Sequence, residues 1–243
     1  MGLAGKNALI TGGGTGIGAA VAIALAAEGC RVAIAGRRAE PLLETAERFS
    51  GEPSIQTHTV DVADRDSVRA LFDWAGRELG RVDILVNSAG INVPRRSMAE
   101  LEPDEWDRIL AVNATGAFNC IHAVLPQMRE QRDGVIVNIS SIAGLRTGLI
   151  GGVAYNASKF AMSALGLSVA VEFKDEGIRV TNIYPGEVET PILDNRPVPV
   201  SAEHRAQILQ PEDVAAAVMM VVQLPPRAHV PELVIKPTTQ AFS

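Results

Sequence analysis

Cysteine is nearly missing from this chain: Cys30 and Cys120 are the only two in 243 residues. They lie far apart and without metal-ligand spacing, which argues against a disulfide framework or a zinc site. They read instead as small core hydrophobes in a reduced compartment. The histidines (His58, His122, His204 and His229) form no ligand spacing either, and no metal is expected. Basic tracts are lacking, and the formal net charge is −6. Nucleic acid is therefore not expected as a main partner, because neutralising phosphates takes clustered Lys and Arg. Long apolar runs are lacking too. The longest, Val214–Val222, is too short to cross a bilayer, and no membrane partner is expected. The first residues have neither the charged start nor the apolar stretch of a signal peptide. Lys6 stands where a myristoylated Gly2 would want Ser or Thr. The expected location is cytoplasmic.

Nearly half of the residues are apolar, mostly Ala, Val, Ile and Leu, and aromatics make up 4%. That composition suits parallel strands covered by helices on both faces. Strand-like runs are read at Asn7–Thr11, Arg31–Ala35, Ile55–Val60, Val82–Asn87, Val135–Ser140, Ile178–Tyr184 and Leu233–Lys236. Helical stretches are read between them at Ile17–Glu28, Glu40–Phe49, Asp64–Leu79, Pro103–Met128, Val153–Glu176 and Pro211–Val222. Asp64 is a plausible N-cap, Gly29, Gly80 and Gly177 are stops, and Pro126 should break or end the long helix. Strands alternating with helices imply right-handed crossovers and a parallel sheet. The expectation is an α/β fold, a single domain over residues 1–243. Pro191–Gln210, with three prolines, is the one irregular stretch. A loop of that length is usually functional, and a substrate lid is expected over about 187–210.

Two signals point to a dinucleotide. Thr11-Gly12-Gly13-Gly14-Thr15-Gly16-Ile17-Gly18 joins the first strand to the first helix. Glycines there let the backbone turn sharply and approach a pyrophosphate at the positive end of a helix. About 20 residues on, where a carboxylate would accept from the ribose of NAD, the chain has Gly36-Arg37-Arg38. Two guanidiniums suit a 2′-phosphate, so NADP(H) is expected in preference to NAD(H).

Gly12-x-x-x-Gly16-x-Gly18, Asn87-Ser-Ala-Gly90 and Tyr155-x-x-x-Lys159, in this order, resemble the short-chain dehydrogenase/reductase family over nearly the whole chain. The resemblance implies a Rossmann-type doubly wound sheet of about seven strands in the order 3-2-1-4-5-6-7. It also implies a catalytic set of Asn113, Ser141, Tyr155 and Lys159, with Ser140 as the rival for the serine role. It places Thr15 and Ile17 in the glycine turn and Asp61 and Val62 beside the adenine. Asn87, Ala89 and Gly90 fall near the ribose, and Pro185, Gly186, Val188 and Thr190 at the nicotinamide end. The ending Val234-Ile-Lys-Pro-Thr-Thr-Gln240 resembles the branch with serine 3-dehydrogenase, 3-hydroxy acid dehydrogenases and clavulanate-type aldehyde reductases.

The chemistry follows from residue types. Hydride transfer to a carbonyl leaves an alkoxide that must gain a proton. An isolated tyrosine titrates near ~10, so reversible use near neutrality asks for positive charge beside Tyr155. Lys159, one helical turn on, can supply it and can hold ribose hydroxyls. Ser141 would donate to the substrate oxygen, and Asn113 would anchor a water linking Lys159 to solvent. The function expected is an NADP(H)-dependent oxidoreductase acting on a small or medium carbonyl/alcohol pair. Two alternatives stand beside it: a 3-oxoacyl carrier-protein reductase, and a non-catalytic NADPH-binding sensor or scaffold. Arg95 and Arg96 could form a basic docking patch, and Arg146 and Arg196 could hold a substrate carboxylate. The two long helices carry surplus apolar positions, so a homotetramer or homodimer is expected.

Overall fold

The computed structural model describes residues 2–240. Seven strands form one parallel sheet: β1 Asn7–Thr11, β2 Arg31–Gly36, β3 Gln56–Thr59, β4 Ile84–Asn87, β5 Gly134–Ile139, β6 Ile178–Pro185 and β7 Glu232–Ile235. Their order is β3-β2-β1-β4-β5-β6-β7, as expected. The helices are α1 Gly16–Ala27, α2 Ala39–Glu47, α3 Arg65–Leu79, α4 Pro103–Leu110, α5 Gly116–Gln131, α6 Val153–Glu172, α7 Ala202–Arg205 and α8 Pro211–Val222.

Alternation along each strand divides the core in two. Ala8, Ile10, Ile34, Val86 and Val137 face one way and pack with α1 and α8. Leu9, Ala33, Leu85 and Ile136 face the other way and pack with α3 and α5. Strands buried on both faces become near-continuous apolar runs, which is why the sequence reads that way. Cys30 and Cys120 are buried free thiols. Burial pushes them up to about 11 and about 12, so they remain unreactive thiols at neutral pH.

Local signals set most boundaries. The Asp64 carboxylate accepts from the backbone N–H of Asp66 and Ser67, and α3 stops at Gly80 with φ 80°. Two expectations need correction. Pro126 lies inside α5 and does not end it; the helix runs on to Gln131 and closes at Arg132 in the left-handed region. The irregularity comes earlier, where Ala111–Thr115 forms a π-helical turn between α4 and α5. By length and composition, the continuous helix Pro103–Gln131 could cross a membrane, but half of its apolar window is buried inside the fold. The stretch after β6 is also less irregular than expected. It holds a 3-10 turn at Pro191–Asn195 and the short α7, and Val188 bridges to Leu209.

Candidate active site

The strand order reverses between β1 and β4, and a cleft opens beyond their carboxyl ends. It is a cavity of about 370 Å³ that runs from Arg37 and Arg38 at the end of β2 to Tyr155 and Lys159 on α6. Gly12, Thr15, Gly16 and Ile17 form its floor; Asp61, Val62, Ala89 and Gly90 form a wall. The floor requires glycine. Gly12 has φ +67°, and a Cβ on it would sit 2.7 Å from the Ala89 nitrogen. Gly18 does not line the cleft. A Cβ on it would come 2.3 Å from the Gly12 oxygen, so it lets α1 press against the turn. Thr15 caps α1 without a side-chain hydrogen bond, leaving first-turn amides unclaimed by it. An open cleft with guanidiniums at one end, helix amides in the middle and a buried ammonium at the other fits a long anionic dinucleotide.

A second cavity of about 350 Å³ adjoins the first. Ser141, Pro185, Gly186 and Val188 line it, and Thr190, Ser140 and Tyr155 border both cavities. Tyr155 therefore stands where the two meet. Burial raises its pKa above the ordinary value. The neighbouring Ser141 hydroxyl and the nearby charge of Arg96 act in the opposite direction. Lys159, one helical turn on, lies close to the ring. Its ammonium lies 5.6 Å from the centre of the Tyr155 ring and donates to the Ile139 carbonyl at 2.8 Å. Burial pulls Lys159 itself down to about 8.

Ser140 and Ser141 separate cleanly. Ser140 Oγ is buried, bonding the Lys159 carbonyl and Ser163. Ser141 Oγ faces the cavity side and accepts from the Ala143 amide.

Two other expected residues play supporting parts. Asn113, fully buried in the π turn, accepts from Ile91 N–H and donates to the Ile91 carbonyl and to Ser158 Oγ. Its amide is thus engaged within the protein and splices the loop after β4 to α6. Asn87 does not line the cleft. It donates to Asn138, which donates to Asn182, which donates to the Ser163 carbonyl, at 3.0, 3.0 and 2.9 Å. These asparagines are in register on β4, β5 and β6. Asn138 and Asn182 were not singled out from the sequence; the available signal was an amide inside an otherwise apolar strand.

The arginines also divide. Arg95 is exposed, but Arg96 is buried, so the expected surface pair does not form. Arg146 and Arg196 line the second cavity. Arg196 pairs with Glu187 at 3.2 Å, and Glu187 also meets His204 at 2.6 Å. Arg205 holds Glu189 and Asp194, so the 187–210 segment is internally laced. Gln240, from the C-terminal stretch, lines the same cavity and accepts from Glu187 N–H.

Comparison with known proteins places this geometry. The family model for short chain dehydrogenases matches residues 6–198. A glycine betaine reductase of Emericella nidulans is 39% identical over 97% of this chain, which spans only 19% of that protein. An uncharacterized oxidoreductase of Staphylococcus saprophyticus is 34% identical over 96% of this chain and 97% of its own length. Among solved structures, the closed form of a serine dehydrogenase complexed with NADP+ superposes with a TM-score of 0.90 at 30% identity, covering 98% of this chain and 97% of that one.

Proposed function

The chain belongs to the short-chain dehydrogenase family and is an oxidoreductase, and on that premise we propose that it moves a hydride between NADP(H) and a small or medium polar carbonyl/alcohol pair, with Tyr155 as the proton donor and acceptor. The observation that carries this reading is the position of Tyr155 at the junction of the two cavities. When bound, the nicotinamide supplies or accepts the hydride. Tyr155 then passes its hydroxyl proton to the substrate oxygen as the alcohol forms. Ser141 hydrogen-bonds that oxygen and the tyrosine together, and Lys159 holds the ribose side of the cleft. The raised Tyr155 pKa keeps the phenol protonated near neutral pH, ready to act as an acid.

Arg37 and Arg38 support the choice of cofactor, because both line the cleft at the end of β2, the position where an NAD site would carry a carboxylate. The similar serine dehydrogenase was solved with NADP+. The second cavity supports the substrate class: Arg146, Arg196 and Gln240 give it polar walls, and its modest volume leaves little room for a long acyl chain. With Arg96 withdrawn from the surface, the basic patch that favoured a carrier-protein substrate is halved. A cytoplasmic homo-oligomer completes the reading.

The experiment is a panel of small oxo acids, semialdehydes, diketones and an acetoacetyl carrier protein, assayed with NADPH and NADH. Tyr155→Phe should abolish turnover of the best substrate while NADPH still binds. Near-normal activity in that variant would overturn the mechanism. Equal affinity for both cofactors would overturn the role of the arginines, and a preference for the carrier protein would overturn the substrate class.

A further inference from the structure

Arg96 stands out among the charged groups. It is 8% exposed, yet among the described residues it forms no ion pair. Its Nε donates to the Val93 carbonyl at 2.9 Å, one Nη to the Ile150 carbonyl at 2.7 Å, and the other Nη to the Asn195 carbonyl. These carbonyls belong to three segments around the second cavity: the loop after β4, the loop before α6 and the 187–210 segment. Its own carbonyl accepts from Val153 N–H, in the first turn of the helix that carries Tyr155. Gly152 makes that approach possible, since a Cβ there would lie 2.5 Å from Arg96 Cβ.

A strap between neutral carbonyls does not need a charge. A glutamine could donate to two of them without burying an unpaired cation, which is costly. Burial pushes the Arg96 pKa down, and the nearby charge of Arg196 acts in the same direction. An uncompensated charge kept here implies a use for the charge.

We propose that Arg96 is a positioning residue for proton transfer: it straps the 187–210 segment over the second cavity and holds a fixed positive charge on the wall that it shares with Tyr155. This rests on the reading of Tyr155 given above. In carbonyl reduction the Tyr155 O–H bond breaks, its proton goes to the substrate oxygen, and the hydride pair comes from the reduced nicotinamide. A tyrosinate is left behind. In oxidation the same tyrosinate takes the proton from the alcohol. Arg96 stabilises that anion, in keeping with its lowering influence on Tyr155. The other charged groups around this wall are Lys159 on α6, Arg146 on the loop before α6, and Arg196 with its partner Glu187 on the 187–210 segment.

The test separates charge from strap in the full-length protein with NADP+ and the alcohol of the best panel substrate. Arg96→Gln and Arg96→Met remove the charge. Arg96→Lys keeps it on a single nitrogen. The acid limb of kcat/KM for oxidation should move to higher pH in Gln and Met, with about a tenfold loss below the limb, a small part of the 10²–10⁴ that a positioned acid or base contributes. In Arg96→Lys the limb should stay in place while KM rises, because the strap is lost. NADPH affinity should hold in all three. A limb that stays put in Gln or Met, or moves equally in Lys, overturns the inference. Tyr155→Phe, run alongside, tells the two failures apart: if it remains active, the reading of Tyr155 falls, and this inference with it.

Discussion

Lys159 is an ammonium kept where water reaches it poorly, with one carbonyl of the protein, Ile139, to bond it. Burial pulls it down to about 8, and a bound anionic dinucleotide would push it back up. The sign of the pH dependence follows. On the proposed reading, the charge would contribute fully to NADPH binding below about 8 and be lost as pH rises from there toward the pKa of the complex. For stability the sign reverses. The unfolded chain holds the proton more readily, so the penalty of the buried ammonium is present below about 8 and relieved as pH rises. NADPH titrations across the neutral to alkaline range should show affinity falling, and Lys159→Met should bind weakly with a flat profile. A flat profile in the unmodified protein would contradict the assignment. Residue types and spacing pointed to Lys159, Tyr155 and the glycine turn, which line the cleft, because the pattern that marks each of them is local in the sequence. Arg96 was misread, because two arginines after a proline look like solvated surface. Its partners at Ile150 and Asn195 lie 54 and 99 residues away.

At the scale of elements, local chemistry made the boundaries legible where it acts alone. The glycine cluster ends β1, Asp64 opens α3 and Gly80 closes it. It failed where the cause is tertiary. The π turn around Asn113 holds a side chain that must reach Ile91 and Ser158, and apolar periodicity barely registers one shifted residue. The asparagine ladder was hidden because each amide finds its partner on another strand. That ladder explains Gly166 on α6: a Cβ there would lie 2.1 Å from Asn182 Oδ1 and 2.7 Å from Asn138 Nδ2. Both amides are fixed at each end and cannot yield cheaply. Gly166→Ala should therefore destabilise the fold by ~2–4 kcal/mol, combining overpacking with a lost buried hydrogen bond. Gly76→Ala is the matched control. It is exposed on α3 with open space around it, and there alanine should be neutral or stabilising by ~0.5–1 kcal/mol. Denaturant melts of the two variants give the comparison, and equal stabilities would remove the steric role assigned to the ladder.

At the scale of the whole molecule, two of the surfaces with exposed apolar side chains bear on assembly. Leu149 and Ile150 are exposed on the loop that lines the second cavity. The other surface is helical. Along α6, Phe160, Ala164, Ser168 and Val171 are exposed at spacings of four, four and three, forming an uncharged stripe along one face. On the adjoining α5, Phe118 is exposed and its ring meets that of His122 at 5.7 Å. Phe118 and Phe160 are 43% and 40% exposed, more than packing against the sheet would leave them. A twofold axis across α5 and α6 would set each stripe against its copy, the arrangement a self-complementary interface requires. A stable contact covers roughly 800 Å² per partner, which two long helices side by side can supply. The unmodified protein should sediment at two or four times 25.7 kDa at micromolar concentration. Phe160→Glu, alone or with Phe118→Glu, should lower that mass by placing a carboxylate against its symmetry mate. Leu149→Ser, on the cavity rim, should leave it unchanged. A single 25.7 kDa species in the unmodified protein would dispose of the assembly. A mass lowered by Leu149→Ser and not by Phe160→Glu would move the interface from the helices to the cavity rim.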